Sequence, residues 1–220
     1  MRDAYHEELD ALTDQLVEMT RLVGSAISRA STALLDADLT LAESVIAADD
    51  AVDALRDELD ARAMDLLARQ QPVASDLRII VTTLKMSGDL ERMGDLARHV
   101  ARSARRRYPE SAVPAALRAT IVEMGQVAER LVAKAGSVIA SHDVEEALQI
   151  EKDDDEMDRL HRALFGDLLN VASPFSIETA IDVTLVSRYY ERFADHAVSI
   201  ARRVVFLVTG RQPRDLIEHV

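Results

Sequence analysis

Residues 91–95 read Glu91-Arg92-Met93-Gly94-Asp95, and one hundred residues later the chain reads Glu191-Arg192-Phe193-Ala194-Asp195. Upstream of this match the recurrence continues at a spacing of 105 residues. Leu12 meets Leu117, Leu16 meets Ile121, Met19 meets Met124, Ile27 meets Val132 and Leu34 meets Ile139. The same spacing pairs Asp38 with Asp143, Ala42 with Ala147, Val45 with Ile150, Asp49 with Asp154, Asp53 with Asp158 and Leu55 with Leu160. The second copy is therefore shorter by five residues, and the deletion lies between Asp158 and Glu191. Self-similarity over about one hundred residues marks one structural unit written twice.

Each copy reads as three helices. In the first, Leu9, Leu12, Leu16, Met19, Val23, Ile27, Ala30 and Leu34 recur at helical spacing, which predicts a helix from Tyr5 to about Asp36. A second helix is expected from about Leu39 to Arg69, with Leu41, Val45, Val52, Leu55, Leu59 and Leu66 inward, and Gln71-Pro72 ends it. A third runs to about Arg107, with Ser75 as its expected cap. Tyr108-Pro109-Glu110-Ser111-Ala112-Val113-Pro114 reads as the linker between copies. The second copy repeats the pattern over about Ala115–Ser141, Val144–Val171 and, after Ser173-Pro174, Ser176–Thr209, with Gly210 and Pro213 ending the last helix. The expected fold is all-α: two pseudo-symmetric three-helix bundles, six helices in all, over residues 1–108 and 115–212. An elongated coiled coil is the plainer alternative.

Composition supports this and removes other classes. Hydrophobic residues make up 48% of the 220, enough for a core, while aromatics are 4% and Trp is absent, so the core is aliphatic. Seven Gly and five Pro are too few for the closely spaced turns of an all-β chain. A net charge of −13 argues against a nucleic-acid partner, which needs a basic footprint, and against adsorption to anionic lipid. Without cysteine there is no disulfide, thiolate metal site or thiol nucleophile. The start, MRDAYHEELD, lacks the apolar stretch of a secretory signal, and the apolar run Val204–Val208 is far short of a membrane span. A cytoplasmic location, with no direct membrane insertion, is expected.

Four acidic pairs spaced four apart recur in matching places: Asp49/Asp53 and Glu91/Asp95, then Asp154/Asp158 and Glu191/Asp195. On a helix such pairs share a face, and like charges there are mildly destabilising unless compensated. Glu91 and Asp95 fall opposite the stripe Met86, Leu90, Met93, Ala97, Val100 and Ala104; Glu191 and Asp195 fall opposite Val186, Tyr190, Phe193, Ala197, Ile200 and Val204. These carboxylates are expected on the bundle surface. If the second helix of each bundle lies beside the third, four carboxylates converge, an oxygen-rich set suited to hard or borderline divalent ions. The plainer reading is a solvated acidic face neutralised by Arg56, Arg98 and Arg102. Enzymatic signals are weak. Ferritin-type di-metal bundles use two Glu-x-x-His motifs, whereas Asp158-x-x-His161 has Arg56 opposite it in the first copy, and His99 and His196 have no histidine counterparts. No Gly-rich phosphate loop is present. A carboxylate-bridged helical metalloenzyme and a metal-free structural dimer are the alternatives to a non-enzymatic binding protein.

The residues now in view resemble the PhoU family. Gln71-Pro72-Val73-Ala74-Ser75-Asp76-Leu77-Arg78 is similar to its QPxAxDLR signature, Leu90-Glu91-Arg92-Met93-Gly94-Asp95 to its LERxGD signature, and Glu191-Arg192-Phe193-Ala194-Asp195 to the second-repeat version. The resemblance covers nearly the whole chain. It implies a cytoplasmic, non-enzymatic, often homodimeric negative regulator of phosphate uptake and phosphate-starvation signalling. Such a protein couples the ATP-binding subunit of the Pst phosphate transporter to a sensor histidine kinase of the PhoR type. It also implies metal binding (iron, zinc, manganese or magnesium) through E/D-x-x-x-D motifs, here Asp49/Asp53, Glu91/Asp95, Asp154/Asp158 and Glu191/Asp195. The second copy departs from the pattern: Phe175-Ser176-Ile177-Glu178 replaces the DLR segment and Ala194 stands in place of Gly. His99 and Ser199 occupy positions where Asn is common in the family, which leaves His99 as an additional ligand in one half only.

Overall fold

The apolar stripe from Leu9 to Leu34 lies along one face of a single helix, α1 (Arg2–Asp36), and all eight of its members are buried. The computed structural model describes residues 2–169 and 175–211. It continues with α2 (Leu39–Ala48), α3 (Asp50–Gln70), α4 (Ala74–Arg107), a 3-10 turn (Ala115–Leu117), α5 (Arg118–Ser141), α6 (Val144–Leu169) and α7 (Ile177–Thr209). The fold is all-α, with no strand among the described residues.

Helix ends follow local chemistry. Asp38 accepts a hydrogen bond from the Leu41 amide at 2.9 Å, and Asp143, its partner in the repeat, accepts from the Glu146 amide at 3.0 Å. Ser176 caps α7 by accepting from the Thr179 amide at 3.1 Å. Gly210 closes α7 in the left-handed region at φ 73°, donating its N–H to the Phe206 carbonyl. Two expectations change. Ser75 does not cap α4: the helix begins at Ala74 after extended Val73, so Ser75 already lies inside the first turn. The helix expected to run unbroken from Leu39 to Arg69 is divided at Asp49, whose carbonyl accepts from Val52, three residues on, at 2.9 Å. Its counterpart α6 is continuous through Asp154. The expected end of α6 at Val171, the Ser173-Pro174 break and Pro213 lie outside the described residues.

Helices α1, α4, α5 and α7 form the centre: α1 packs along α4 and α5, and α7 packs along the same two. α2 and α3 lie against α1 and α4, and α6 against α5 and α7. The two copies thus join along two seams, α1–α5 and α4–α7, around one aliphatic core. The α1–α5 seam rests on close approach. A Cβ built on Gly136 would stand 2.6 Å from Thr20 Oγ1, and one on Gly125 would stand 3.1 Å from Ser31 Oγ. Thr20 and Gly125 occupy one place in the 105-residue repeat, and Ser31 and Gly136 another, so the same contact is made twice in reciprocal form. The pairings 20 with 136 and 31 with 125 make the two helices antiparallel. Both hydroxyls stay satisfied, Thr20 donating to the Val17 carbonyl and Ser31 to the Ile27 carbonyl, each at 2.7 Å. Tyr190 of α7, fully buried, completes the joint by donating to Ser31 Oγ at 2.7 Å. Burial holds its phenol neutral by raising its pKa.

Gly136→Ala places a methyl against Thr20 and forces α1 away from α5, so a loss of roughly 1–3 kcal/mol is expected in urea unfolding. Gly88→Ala, whose Cβ would meet nothing within 4 Å, is the control, with a gain of about 0.5–1 kcal/mol expected from helix propensity. Equal midpoints for Gly136→Ala and wild type would show that the helices do not meet there.

Candidate functional site

The condition for convergence is met: α3 lies along α4 and α6 along α7, and the acidic pairs come together there. The face they occupy is covered more than its polarity suggests. Asp49 is only 7% exposed, and Glu91, Asp95, Asp154 and Glu191 are half-buried, while Asp53, Asp158 and Asp195 are exposed. Of the four carboxylates expected on the bundle surface, Asp195 is exposed and Glu91, Asp95 and Glu191 are half-buried, while Asp49 is buried where it meets α4. A Cβ at Gly94 would stand 3.3 Å from Asp49 Oδ1, so glycine there is what admits this buried carboxylate; the second copy has Ala194.

In the first copy the carboxylates are matched by arginines. The Arg98 guanidinium lies between two of them. It donates to Asp95, and its Nη1 forms an ion pair with Asp49 Oδ2 without the angle of a hydrogen bond. Arg56 Nη1 sits 3.4 Å from Glu91 Oε2, and Arg92 donates to Asp95 Oδ2 at 3.1 Å. Burial raises the Asp49 pKa; Arg98 opposes this, and the charges of Asp53, Asp95 and Asp50 add to it.

The second copy keeps the carboxylates and loses two of the cations, while Arg188 pairs with Glu191 and Arg202, held by Glu151, feels the charges of Asp154 and Asp195. Val198 stands where the first copy has Arg98, and His161 where it has Arg56. Val198 is buried, and His161 turns to Ser187, with Nδ1 3.1 Å from its hydroxyl. Asp154 has no ion pair among the described residues. Burial pushes its carboxyl up to about 6, helped by the charges of Asp195, Asp158, Glu191 and Asp155. Glu191 accepts from Arg188 through Oε1, but its Oε2 is buried without a hydrogen-bond partner among the described residues. Burial and the Asp195 charge raise its pKa as well. Among the described residues, no three or more His, Asp or Glu side chains are arranged to hold a metal ion as they stand. The donor set nevertheless separates the halves: Arg98 fills the cationic position in the first and fits a metal poorly, whereas the orphaned Glu191 oxygen and the uncompensated Asp154 fit one.

The α4–α7 seam carries polar residues that periodicity did not single out. Asp89 of α4, buried, accepts from His196 Nδ1 at 3.0 Å, Ser199 Oγ at 3.1 Å and Arg203 Nε at 2.7 Å. Burial would raise its pKa, but the hydrogen bonds from His196 and Arg203 outweigh it and hold the carboxyl low. Asp182 of α7, also buried, accepts from Arg106 and Arg107, and Arg107 Nη1 reaches Glu178 at 2.7 Å. His99 stacks on Tyr189 with ring centroids 5.2 Å apart and planes 21° apart, which commits the ring to the seam. A signal was present in the 100-residue register: Asp89 faces Tyr189 in the repeat and His99 faces Ser199, so these positions differ between copies because each meets the other copy.

The PhoU domain model matches the chain twice, over residues 16–104 and 121–204. A protein of Mycobacterium tuberculosis named phosphate-specific transport system accessory protein PhoU homolog 2 is 50% identical over 213 residues, covering 97% of this chain and 100% of its own length. Homolog 1 from Mycobacterium leprae is 47% identical over 98% of this chain and 97% of its own. The crystal structure of PhoU from Pseudomonas aeruginosa superposes with a TM-score of 0.87 at 32% identity, covering 94% of this chain and 100% of that one.

Three variants test the charge asymmetry through stability. The Asp154 carboxyl at about 6 lies above its unfolded value of 3.8, so the folded chain holds a proton the unfolded chain has released. Stability therefore falls as pH rises from about 4 through about 6. Asp154→Asn is expected to stabilise the chain at pH 7 by on the order of 1 kcal/mol, a figure discounted because the group is half in solvent, with the gain vanishing below about pH 4. A pH-independent difference from wild type would contradict this. Arg98→Met strands buried Asp49, and urea unfolding at pH 7 is expected to show a loss of about 3 kcal/mol, smaller at acid pH where Asp49 protonates. Arg188→Met, at an exposed guanidinium, is expected to cost less than about 1 kcal/mol.

Proposed function

The chain belongs to the PhoU family, and on that premise we propose that it regulates phosphate uptake as an accessory of a phosphate-specific transport system. The observation that carries this is coverage: relatives named as accessory proteins of that system match the chain end to end, and the family domain matches it once in each repeat. We read residues 1–108 and 115–212 as the two repeat domains of a non-enzymatic cytoplasmic adaptor. It docks as a homodimer on the ATP-binding subunit of the transporter and on a PhoR-type sensor histidine kinase, and restrains both when phosphate is plentiful. Two features support an adaptor. No helix among the described residues is long and apolar enough to cross a membrane. The buried acids Asp89 and Asp182 are tied up in seams that hold helices together, which is scaffold work.

The metal belongs to the same reading, at one place. Asp154, Asp158, Glu191 and Asp195 would hold a divalent or trivalent cation. The oxygen-only donor set favours magnesium, manganese or iron over zinc. When bound, the ion supplies positive charge to a cluster that lacks it and links α6 to α7; ligation requires new rotamers at exposed Asp158 and Asp195. Asp49, Glu91 and Asp95 remain paired with Arg98, Arg56 and Arg92, and exposed Asp53 stays beside them without an ion pair to a described residue.

Deleting the gene is expected to raise phosphate uptake and switch on a starvation reporter in phosphate-rich medium, and tagged full-length chain is expected to recover the transporter's ATP-binding subunit. Unchanged uptake together with recovery of neither transporter nor kinase would contradict the adaptor. For the metal, elemental analysis of Asp154→Asn/Glu191→Gln is expected to show loss of bound ion, while Asp53→Asn/Glu91→Gln retains it. Identical metal content in both variants and wild type would contradict the assignment.

A further inference from the structure

The antiparallel α4–α7 crossing has two ends, and they are built differently. At one end Arg106 and Arg107 of α4 meet Glu178 and Asp182 of α7, and charge is balanced within the protein. At the other end the 100-residue register puts Arg78 in the place of Glu178 and Thr82 in the place of Asp182. The carboxylates are gone from that end, and α7 still brings cations, Arg202 and Arg203. A groove of about 530 Å³ opens there, walled by Leu77, Val81 and Phe206 and edged by Arg78, Lys85 and Arg202. No Asp or Glu lines it.

The four cations are not equally engaged. Arg203 is held by Asp89 and Arg202 by Glu151. Arg78 and Lys85 have no ion pair with any described residue. The Arg78 Nε is buried without a hydrogen-bond partner, and its guanidinium reaches across to Gly210, where a Cβ would stand 2.5 Å from Nη1. With Arg202 and Arg203 already paired, the unbalanced charge at the groove is that of Arg78 and Lys85, two cations side by side at an acid-free groove in a chain of net charge −13, which suits an anion. The guanidinium fork suits tetrahedral oxyanions, with Lys85 as a second point charge. The hydroxyls of Thr82 and Ser199 also line the groove.

We propose that this groove binds a phosphate group, either free or carried on a small organic phosphate of nucleotide size. The volume lies within the range of small-molecule sites, and the apolar wall of Leu77, Val81 and Phe206 offers a surface for an organic body beside the charged edge. Arg202 on the groove edge also feels the charges of Asp154 and Asp195, so the groove adjoins the α6–α7 carboxylates, but its Arg78 and Lys85 side does not depend on the metal or on the transporter partner.

The test is an NMR titration of the full-length chain, at constant ionic strength, with inorganic phosphate, adenosine monophosphate and adenosine. Saturating amide shifts confined to residues 77–85 and 199–206 are expected with a phosphate-bearing probe and not with adenosine. Equal affinities for phosphate and the monophosphate would mean that the phosphate group alone is read; roughly tenfold tighter monophosphate would mean that the organic body is read as well. Lys85→Gln, at an exposed position, and Arg78→Gln/Lys85→Gln, checked for an unchanged melting curve, are each expected to weaken binding, the double variant by about tenfold or more. The proposal is overturned by no saturation with either phosphate probe at millimolar concentration, by adenosine producing the same shifts, or by folded Lys85→Gln titrating like wild type.

Discussion

The whole molecule depends on how closely α1 can approach α5. α1 presents both hydroxyl residues and α5 both glycines, Thr20 into Gly136 and Ser31 against Gly125, and the two contacts occupy equivalent positions of the repeat. This brings two units together that each have an uncovered apolar face, so that Leu16, Met19, Val23 and Ile27 share one core with Met124, Leu131 and Val132. With few aromatics available, close backbone approach does the work that large side chains do elsewhere. Tyr190 then ties α7 to the same joint through Ser31.

Two copies joined this tightly are no longer equivalent, and the divergence is concentrated in charge. Gly94, Arg98 and Arg56 give the first copy a buried acid with counter-charge drawn from within the chain. Ala194, Val198 and His161 give the second copy the same acids with less of it, Arg188 pairing with Glu191 while Asp154 has no ion pair among the described residues. The α4–α7 seam shows the same economy: Asp89 and Asp182 are fully hydrogen-bonded across it, because a buried carboxylate is tolerated only when its partners are in place. Among the described residues, Asp154 and Arg78 are left without an ion pair, and each is half-buried.

Much of this was legible in the sequence. The stripe from Leu9 to Leu34, the Gln71-Pro72 break and the stop at Gly210 follow from local chemistry and periodicity. The spacing of the acids put each pair on one helix face, but that α3 lies along α4 and α6 along α7 was only a condition for their convergence. The division at Asp49 was not legible, because it depends on tertiary contact with Gly94 and Arg98 rather than on local propensity. The burial of Asp49 and the cross-seam partners of Asp89 were equally hidden, since single-helix periodicity says nothing of which polar face a neighbouring helix covers. The PhoU resemblance identified the eight acids, but only the placement of arginines separates one set of four from the other.

Anomalous diffraction from crystals of the full chain equilibrated with manganese tests most directly whether one repeat supplies its own counter-charge and the other takes it from solution. The expected result is an anomalous peak between α6 and α7 beside Asp154 and Glu191, and none beside Arg98. Peaks of equal height in both repeats, or a peak only at the Asp49 side, would contradict it.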